Sequence, residues 1–143
     1  MKTCVIDASV AAKWVLPSPG EPLAREALKL LEDYADGELR FVVPDLFWAE
    51  CANILWKAVR QKRLRPASAD SALRAMRERN FPTVSSHALL IEAFAIATAF
   101  DRAVYDSIYV ALAFTSNSQL VTADERLANA LAAHLPVRWL GSL

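Results

Sequence analysis

Short apolar segments alternate with longer amphipathic segments along this chain of 143 residues. Runs of β-branched and other apolar residues predict extended segments, whereas apolar residues spaced three and four apart predict helices. The predicted strands are Thr3–Ile6, Arg40–Val43, Phe81–Val84, Gln119–Thr122 and Val137–Leu140. The predicted helices are Ser9–Leu16, Glu21–Tyr34, Pro44 to about Gln61, Pro66 to about Arg79, Ser86–Phe100, a helix from near Tyr105 or Asp106 to Thr115, and Glu125–Ala133.

This alternation favours an α/β fold, because a helix usually carries the chain from one parallel strand to the next. We therefore expect a short parallel sheet with helices on both faces, which makes a three-layer sandwich. Composition agrees with a folded protein, since 55% of the residues are apolar and 22% are charged. The length fits a single domain, so residues 1–143 are predicted to form one unit.

Apolar segments and cysteines indicate the compartment. The longest apolar run, Ile108–Phe114, is seven residues long, whereas a membrane-spanning helix needs roughly 20. Asp7 interrupts the first apolar run, so we expect no secretory signal. Cys4 and Cys51 are the only thiols, and their spacing does not suggest a zinc site. We expect reduced, buried cysteines and a cytoplasmic protein without a membrane partner.

Charge is balanced overall but uneven along the chain. The formal net charge is zero and the isoelectric point is near 6.7, which argues against binding nucleic acid by bulk charge. Residues 57–79, however, carry eight cationic side chains and two acidic ones. This basic segment is interpreted either as two solvated helix faces around a turn or as an arm that contacts phosphates. The sequence does not decide whether it contacts RNA.

Three aspartates lie where ligands usually bind in α/β proteins, outside the carboxyl ends of the strands. Asp7 and Asp124 follow predicted strands, and Asp106 lies at the start of a helix after a sharp loop. Each also fits the simpler role of a helix N-cap. For Asp124 that role has a competitor, because Thr122 and Glu125 form a capping-box pattern that could cap the helix alone.

Glu50 is harder to explain as a surface residue. Its neighbours three and four positions away on the helix are mostly apolar: Leu46, Phe47, Asn53 and Ile54. No Lys or Arg lies within one turn of it, so a buried carboxylate here would need another partner or a proton. The simpler alternative is a partly exposed glutamate at the edge of the apolar stripe.

The four acids together predict a metal site if they converge on one crevice. Neighbouring carboxylates repel one another, and a divalent cation would relieve that repulsion. Oxygen ligands alone suit Mg²⁺ or Mn²⁺, and such a centre favours hydrolysis of phosphodiesters by an activated water. Other schemes find little support, since three glycines do not build a phosphate-binding loop and Cys51 lacks basic neighbours.

At these acids the sequence resembles the PIN domain, the ribonuclease fold of VapC-type toxins from toxin–antitoxin pairs. The matching segments occur in the same order along the whole chain: Val5–Ser9, Glu50–Leu55, Tyr105–Ala113 and Val121–Leu127. Leu127 departs from the pattern, because relatives often carry Phe there, and we expect this to affect packing rather than chemistry. The resemblance implies a PIN-like fold for residues 1–143.

The resemblance also implies roles for particular residues. The acids that would bind the metal and carry out catalysis are Asp7, Glu50, Asp106 and Asp124. The residues that would support them are Ser9, Asn53, Ser107 and Thr122. By resemblance the protein is a Mg²⁺- or Mn²⁺-dependent endoribonuclease, a toxin and a homodimer. Its partners would be an RNA substrate and a cognate antitoxin whose tail enters the active groove.

Two other functions stay open at this stage. One is a non-catalytic module that binds nucleic acid or a partner, with the acids serving only as helix caps. The other is a phosphatase of the haloacid dehalogenase type, although Ser9 stands where that scheme wants a second Asp. The RNA target, the number of metal ions, the identity of the antitoxin and the role of Asp101-Arg102 are not specified by the sequence. Tyr105 and Tyr109 are expected to pack, with one of them bonding an acid.

Overall fold

Five parallel strands form one sheet at the centre of the protein. A computed structural model describes residues 2–143, apart from the side chain of Ser18, and Met1 of the predicted domain lies outside the described residues. The strands are β1 (Lys2–Ile6), β2 (Leu39–Pro44), β3 (Thr83–Val84), β4 (Gln119–Thr122) and β5 (Val137–Trp139). They are ordered β3-β2-β1-β4-β5, and every neighbouring pair is parallel.

Helices connect the strands and cover the sheet. They are α1 (Ala8–Ala12), α2 (Ala24–Ala35), α3 (Leu46–Arg60), α4 (Pro66–Glu78), α5 (Ser86–Phe100), α6 (Val104–Thr115) and α7 (Glu125–Leu131). Short 3-10 turns lie at Ser18–Gly20 and Leu140–Ser142. The predicted α/β sandwich with a parallel sheet is confirmed. No helix within residues 2–143 combines the length and apolar character that a membrane span requires.

Four helices are shorter than the hydrophobic pattern predicts. The helix predicted from Pro44 begins at Leu46, because Pro44 is the last residue of β2, and the predicted Glu125–Ala133 helix ends at Leu131. The predicted Ser9–Leu16 helix stops at Ala12, and the chain continues in tighter turns that bond each N–H to the carbonyl three residues back. The predicted Glu21–Tyr34 helix begins at Ala24. Pro22 disfavours a helical backbone at the residue before it, and Leu23 has a left-handed φ of 59°.

Buried side chains fix the sheet against the helices. Phe41 on β2 lies at the centre of an aromatic cluster, with ring centroids 4.9 Å from Tyr34, 5.5 Å from Phe81 and 5.8 Å from Trp14. On α6 every residue from 107 to 113 is buried, and this helix packs on β1, β2 and β4. The start of α6 is thereby held close to the sheet.

The strand order places a crevice at the carboxyl ends of β1 and β4. From β1 the chain first builds β2 and β3 on one side, and it later returns to add β4 and β5 on the other. Ile6 lies opposite Val121, and the Asp7 N–H donates to the Val121 carbonyl at 3.4 Å. Ligands in open α/β sheets bind at this kind of reversal, so the residues after β1 and β4 lie where a site is expected.

Candidate active site

Asp7 directly follows β1 and is the N-cap of α1. Its Oδ1 accepts hydrogen bonds from the Ser9 N–H at 2.9 Å and from the Val10 N–H at 3.4 Å, and it also accepts the Ser9 hydroxyl. Burial raises the pKa of Asp7 above its ordinary value, although hydrogen bonds from Ser9 and Thr122 favour the charged form. The capping interpretation is therefore correct for Asp7, but it does not account for its burial.

Ser9 and Thr122 connect the two strand ends around Asp7. The Ser9 hydroxyl donates to Asp7 and accepts the Ala123 N–H at 3.2 Å. Thr122 is fully buried, and its hydroxyl accepts the Asp124 N–H at 3.0 Å. These contacts are what a supporting role for the two hydroxyls requires, because they fix the backbone and the carboxylate at both sides of the crevice.

Glu50 is half-buried on α3, and its partner comes from a distant part of the chain. The Tyr109 hydroxyl donates to Glu50 Oε1 at 2.5 Å, so the expectation that one tyrosine bonds an acid is met by Tyr109. Burial raises the pKa of Glu50, the hydrogen bond from Tyr109 lowers it, and the charges of Asp7 and Asp106 raise it further. Tyr109 is buried, and its own pKa is raised by that burial and by Glu50, so it stays protonated.

Asp106 lies in the first turn of α6 and is not its N-cap, which is Ala103. The capping interpretation is therefore wrong for this residue. Burial raises the pKa of Asp106, the charge of Asp124 raises it further, and the charge of Arg102 opposes both effects. Asp106 thus carries a half-buried charge that the helix start does not require.

Asp124 is the N-cap of α7 and is exposed. Its Oδ1 accepts the Arg126 N–H at 3.0 Å and the Leu127 N–H at 3.2 Å. The alternative in which Thr122 caps this helix is wrong, because Thr122 is the last residue of β4. The Leu127 side chain is buried in the core, in keeping with the packing role expected for this departure from the PIN pattern.

Charge effects connect Asp7 and Asp106 to Glu50, and Asp124 to Asp106. Nevertheless, no three His, Cys, Asp or Glu side chains within residues 2–143 stand together in a ready-made ligand geometry. Hydrogen bonds from the protein hold carboxylate oxygens of Asp7, Glu50 and Asp124. Repulsion between the negative charges favours larger distances between these carboxylates. The assignment of the four acids as metal ligands therefore stays a prediction.

The chemistry of this donor set suits a hard cation. In the described part of the chain, no Lys or Arg nitrogen lies within 4.0 Å of a carboxylate oxygen of these four acids. The nearby Cys51 is buried, and burial and the charges of Glu50 and Asp7 raise its pKa to about 12. Carboxylate oxygens without thiolates or imidazoles fit Mg²⁺ or Mn²⁺ and do not favour zinc.

The two other predicted supporting residues are placed differently. Ser107 is fully buried, and its hydroxyl donates to the Ala103 carbonyl at 2.9 Å within its own helix. It therefore holds the start of α6 and orients Asp106 only through the backbone. Asn53 is exposed on α3, one turn after Glu50. Its role stays a prediction.

The basic segment lies on the last turn of α3, the loop after it and α4, and its cationic residues are exposed. Part of its charge is used within the fold. Arg63 contacts Glu21 at 2.9 Å, Arg74 contacts Asp70 at 2.8 Å, and the Arg60 guanidinium lies 4.9 Å from the centre of a Trp56 ring. These contacts support the interpretation as solvated helix faces for Arg60 and Arg74, whereas Arg63 lies in the loop after α3 and pairs with Glu21.

Comparison with known proteins agrees with this arrangement of strands. The PIN domain profile matches residues 4–131, and the chain belongs to the PIN domain family. It is similar to Ribonuclease VapC3 from Pyrobaculum aerophilum, with 34% identity over 132 residues that cover 90% of this chain and 95% of that protein. The resemblance to VapC-type PIN domains is thereby confirmed.

Solved structures share the fold. The crystal structure of PAE2754 from Pyrobaculum aerophilum superposes with a TM-score of 0.70 at 22% identity, covering 99% of this chain and 85% of that one. A toxin–antitoxin complex from Klebsiella pneumoniae contains a chain with a TM-score of 0.61 at 15% identity, covering 94% of this chain and 95% of that one. At these identities the likeness concerns the fold alone.

Proposed function

We propose that this protein is the toxin of a toxin–antitoxin pair and acts as a Mg²⁺- or Mn²⁺-dependent endoribonuclease. The observation that carries the proposal is the half-buried pair Glu50 and Asp106, whose pKa values are raised in part by the charges of Asp7 and Asp124, and no Lys or Arg nitrogen lies within 4.0 Å of these four carboxylates among residues 2–143. The similarity to Ribonuclease VapC3 supports RNA as the substrate. Helix capping accounts for Asp7 and Asp124, but folding alone gives no reason for Glu50 and Asp106.

The residues of the chain would prepare the site for a cation and a phosphodiester. Asp7, Glu50, Asp106 and Asp124 would hold the metal. Tyr109 fixes Glu50 through Oε1, and Ser9 fixes Asp7 through Oδ1, so both carboxylates are oriented before a ligand arrives. When bound, Mg²⁺ or Mn²⁺ would stabilise the charge that develops on the phosphoryl oxygens and activate the attacking water.

Both alternative functions account for less of the site. A module whose acids only cap helices explains Asp7 and Asp124, but Glu50 lies within α3 and Asp106 lies inside the first turn of α6. A haloacid dehalogenase-like phosphatase needs a second acid two residues after Asp7. The hydroxyl of Ser9 occupies that position, where it bonds Asp7 and the Ala123 N–H.

The direct test is RNA cleavage by purified protein with Mn²⁺, with EDTA, and in the Asp106→Asn variant. We expect cleavage with Mn²⁺ only, and we expect the variant to lose it while it keeps a cooperative unfolding transition. Unfolding should also be followed during a Mn²⁺ titration, because a metal at 100 times its Kd stabilises the folded state by about 2.7 kcal/mol. Wild-type rates in EDTA or in the variant would remove the mechanism, and an unchanged melting temperature with Mn²⁺ would favour the capping module.

We further propose a cognate antitoxin as the regulatory partner. The support is the VapC-type family membership together with the structural neighbour described as a toxin–antitoxin complex. Expression of this chain alone should arrest growth, and co-expression with the protein from the adjacent reading frame should restore it. The same pair should copurify. Growth arrest that persists although both proteins are present would contradict the partnership.

We also propose that the protein is a homodimer that pairs through the outer face of α5. Ile91 and Phe94 are 77% and 61% exposed, and Leu90 next to them is exposed as well. An exposed apolar face of this kind usually marks an interface. Ile91→Glu should convert a dimer into a monomer in sedimentation experiments. Leu28→Glu on α2, a similarly exposed leucine, is the matched control and should leave the dimer intact.

The proposed location is the cytoplasm. RNA and a protein antitoxin are cytoplasmic partners, and Cys4 and Cys51 are free and buried, as fits a reducing compartment. Detection of the protein in a membrane or extracellular fraction of cells that express it would contradict this location.

A further inference from the structure

The basic segment, residues 57–79, carries positive charge that the fold does not neutralise. Arg63 and Arg74 form ion pairs with Glu21 and Asp70. No other Lys or Arg nitrogen of this segment lies within 4.0 Å of a carboxylate oxygen in residues 2–143. The remaining cations are exposed, so the segment presents positive charge at the surface of the protein.

Two of these cations, Lys57 and Arg60, lie in the last turn of α3. Together with Gln61 they line a surface hollow of about 320 Å³, which we call the α3 hollow. The Arg60 guanidinium lies 4.9 Å from the centre of a Trp56 ring. Stacking on an aromatic ring leaves the donors at the edge of a guanidinium free. The α3 hollow therefore presents two charged donor groups to solvent.

The α3 hollow lies on the same side of α3 as Glu50. Lys57 follows Glu50 by seven residues, which is nearly two full helical turns, so the two residues share one face of the helix. The rise along an α-helix places Lys57 about 10 Å and Arg60 about 15 Å farther along the axis than Glu50. Helix α4 packs on another side of α3, around Trp48 and Ala52, and does not cover the α3 hollow.

An acidic crevice needs positive charge in its neighbourhood in order to bind RNA. The carboxylates repel phosphates, because both carry negative charge. Contacts between cationic side chains and phosphates supply the sequence-independent affinity of proteins for nucleic acid. An RNA strand with one phosphodiester in the crevice also has flanking phosphates outside it. The α3 hollow offers cations to those flanking phosphates on the helix that carries Glu50.

We propose that Lys57 and Arg60 bind phosphates of the RNA substrate that flank the phosphodiester in the crevice. The inference rests on the proposed ribonuclease function and adds a substrate contact outside the four acids. The Arg60 guanidinium offers a planar fork of donors and the Lys57 ammonium a compact charge, and both bind phosphate oxygens. Their distance from Glu50 is close to the Debye length at physiological salt, about 8 Å. These exposed cations therefore act on RNA and have little effect on the metal.

Loss of either cation should weaken RNA binding without changing metal binding. Lys57→Gln and Arg60→Gln should each lower RNA affinity by about threefold to tenfold, the effect of one lost hydrogen-bonded contact. Each should also reduce the salt dependence of log K by about 0.7. In cleavage assays both variants should raise KM and keep kcat, because the ground state and the transition state lose the same contact. The affinity for Mn²⁺ should be unchanged.

Arg77→Gln is the matched control. Arg77 is an exposed cation in the last turn of α4 and has no ion pair within residues 2–143. Its loss therefore removes one positive charge and one favourable interaction with a helix dipole, as the α3 variants do. Arg77 lies beside Trp48, on the side of α3 away from the α3 hollow. Its replacement should change RNA affinity by less than about twofold, because salt screens distant exposed charges.

The experiment measures each ligand separately. RNA binding is measured by fluorescence anisotropy of a labelled single-stranded oligoribonucleotide of about 16 nucleotides, which is long enough for common single-strand binding sites. Mn²⁺ is present, and all proteins carry Asp106→Asn to prevent cleavage. Mn²⁺ binding is measured by titration calorimetry without RNA and with Asp106 intact. KM and kcat are measured, also with Asp106 intact, on an RNA that the unaltered protein cleaves.

Each outcome decides for or against the RNA contact. Unchanged RNA affinity in both α3 variants would overturn the inference, and so would an equal loss in Arg77→Gln, which would indicate an effect of net charge. Weaker Mn²⁺ binding by the α3 variants would also overturn it, since that indicates a disturbed crevice. Loss of antitoxin affinity alone would assign the α3 hollow to the antitoxin. If the unaltered protein does not cleave RNA, the proposed function fails, whereas weaker RNA binding by the α3 variants would still support the contact.

Discussion

Glu21 and Glu50 are both shielded from solvent, but the fold surrounds them with opposite charges. The Glu21 side chain is 11% exposed and contacts Lys13 at 2.8 Å and Arg63 at 2.9 Å. Burial alone would raise the pKa of Glu21, yet the hydrogen bonds and charges of Lys13 and Arg63 bring it below its ordinary value. Glu50 has a tyrosine as its hydrogen-bond donor and feels the charges of Asp7 and Asp106.

The difference separates a structural carboxylate from a functional one. Glu21 joins the segment after α1 to the loop after α3, so its charge supports the fold. Glu50 adds to an existing negative charge, so its ionised form costs stability in the absence of a cation. Clusters of carboxylates with raised pKa values and no counterion are typical of sites that act on ligands.

Two aspartates that follow strands, Asp7 and Asp45, show the same contrast. The largest effect on RNA cleavage is expected at Asp7. Asp7→Asn should reduce RNA cleavage at least about a hundredfold, because even residues that only support metal ligands cost 10–100-fold when they are changed. Asp45 follows β2 but is exposed and accepts the Ser86 N–H at 3.1 Å. Asp45→Asn is therefore the matched control and should cleave at nearly the unaltered rate. Equal losses in both variants would contradict a distinct role for Asp7.

The second effect concerns the structural glutamate. Glu21→Gln should lower the free energy of unfolding by about 2 kcal/mol, because it leaves the largely buried Lys13 ammonium without its counterion. The loss falls below that of a fully buried pair, since the Arg63 side chain is partly solvated and a glutamine still accepts hydrogen bonds. Urea unfolding measures it. RNA cleavage per folded molecule should be unchanged, and a loss of cleavage in the folded variant would contradict a purely structural role.

Replacement of the functional glutamate, Glu50, should change the free energy of unfolding in the opposite direction. Glu50→Gln should raise the free energy of unfolding in EDTA by on the order of 1 kcal/mol, because it removes the repulsion from Asp7 and Asp106. The same variant should lose most of the stabilisation by Mn²⁺. Urea unfolding with and without Mn²⁺ measures both changes. A destabilised variant in EDTA would show that Glu50 serves the fold, as Glu21 does.

The local sequence could predict which acids are unusual, but it could not predict which residues contact them. Glu50 was recognisable because an acid on an apolar helix stripe without a nearby cation is unusual. Asp7 and Asp124 were recognisable because they follow short apolar strands. Tyr109 as the partner of Glu50 was not predictable as a pair, since the two residues lie on different helices and only the packing of α6 on the sheet brings them together.

Two further features depend on backbone geometry that hydrophobic patterning does not encode. Asp106 lies inside the first turn of α6 because the helix begins at Val104, one or two residues before the start that the sequence predicts. The tight connection between α5 and α6 depends on the left-handed residue at Asp101, a conformation uncommon for residues other than glycine. The single-domain boundaries at 1–143 and the metal ligands stay predictions.

A further test is the pH dependence of the two glutamate variants. The pKa of Glu21 is lowered from 4.5 in the folded state, so its contribution is present above pH 4.5 and is lost as the pH falls through the folded pKa. The pKa of Glu50 is raised from 4.5, so the folded state is favoured below pH 4.5 and loses that advantage as the pH rises through the folded pKa.

The cost of Glu21→Gln should therefore shrink in acid, and the gain from Glu50→Gln should grow toward neutral pH. Urea unfolding in EDTA from about pH 3.5 to pH 7 measures both trends. The gain from Glu50→Gln should reach no more than on the order of 1 kcal/mol at neutral pH. Relative to the unaltered protein, the free energy of unfolding should therefore fall with rising pH for Glu21→Gln and rise for Glu50→Gln. A change of the same sign in both variants would contradict the assigned environments.

The smallest effect should come from the tyrosine that orients Glu50. Tyr109→Phe removes the hydroxyl that donates to Glu50 at 2.5 Å, so the pKa of Glu50 should rise further and the free energy of unfolding should fall by about 0.5 kcal/mol. Cleavage should decrease by less than tenfold, because the variant loses the orientation of one carboxylate and keeps all four acids. Tyr105 lies one turn earlier on α6 and is 69% exposed, so Tyr105→Phe should change neither quantity. If both variants behave alike, the hydrogen bond to Glu50 does not contribute to the site, and Glu50 is oriented by packing on α3 alone.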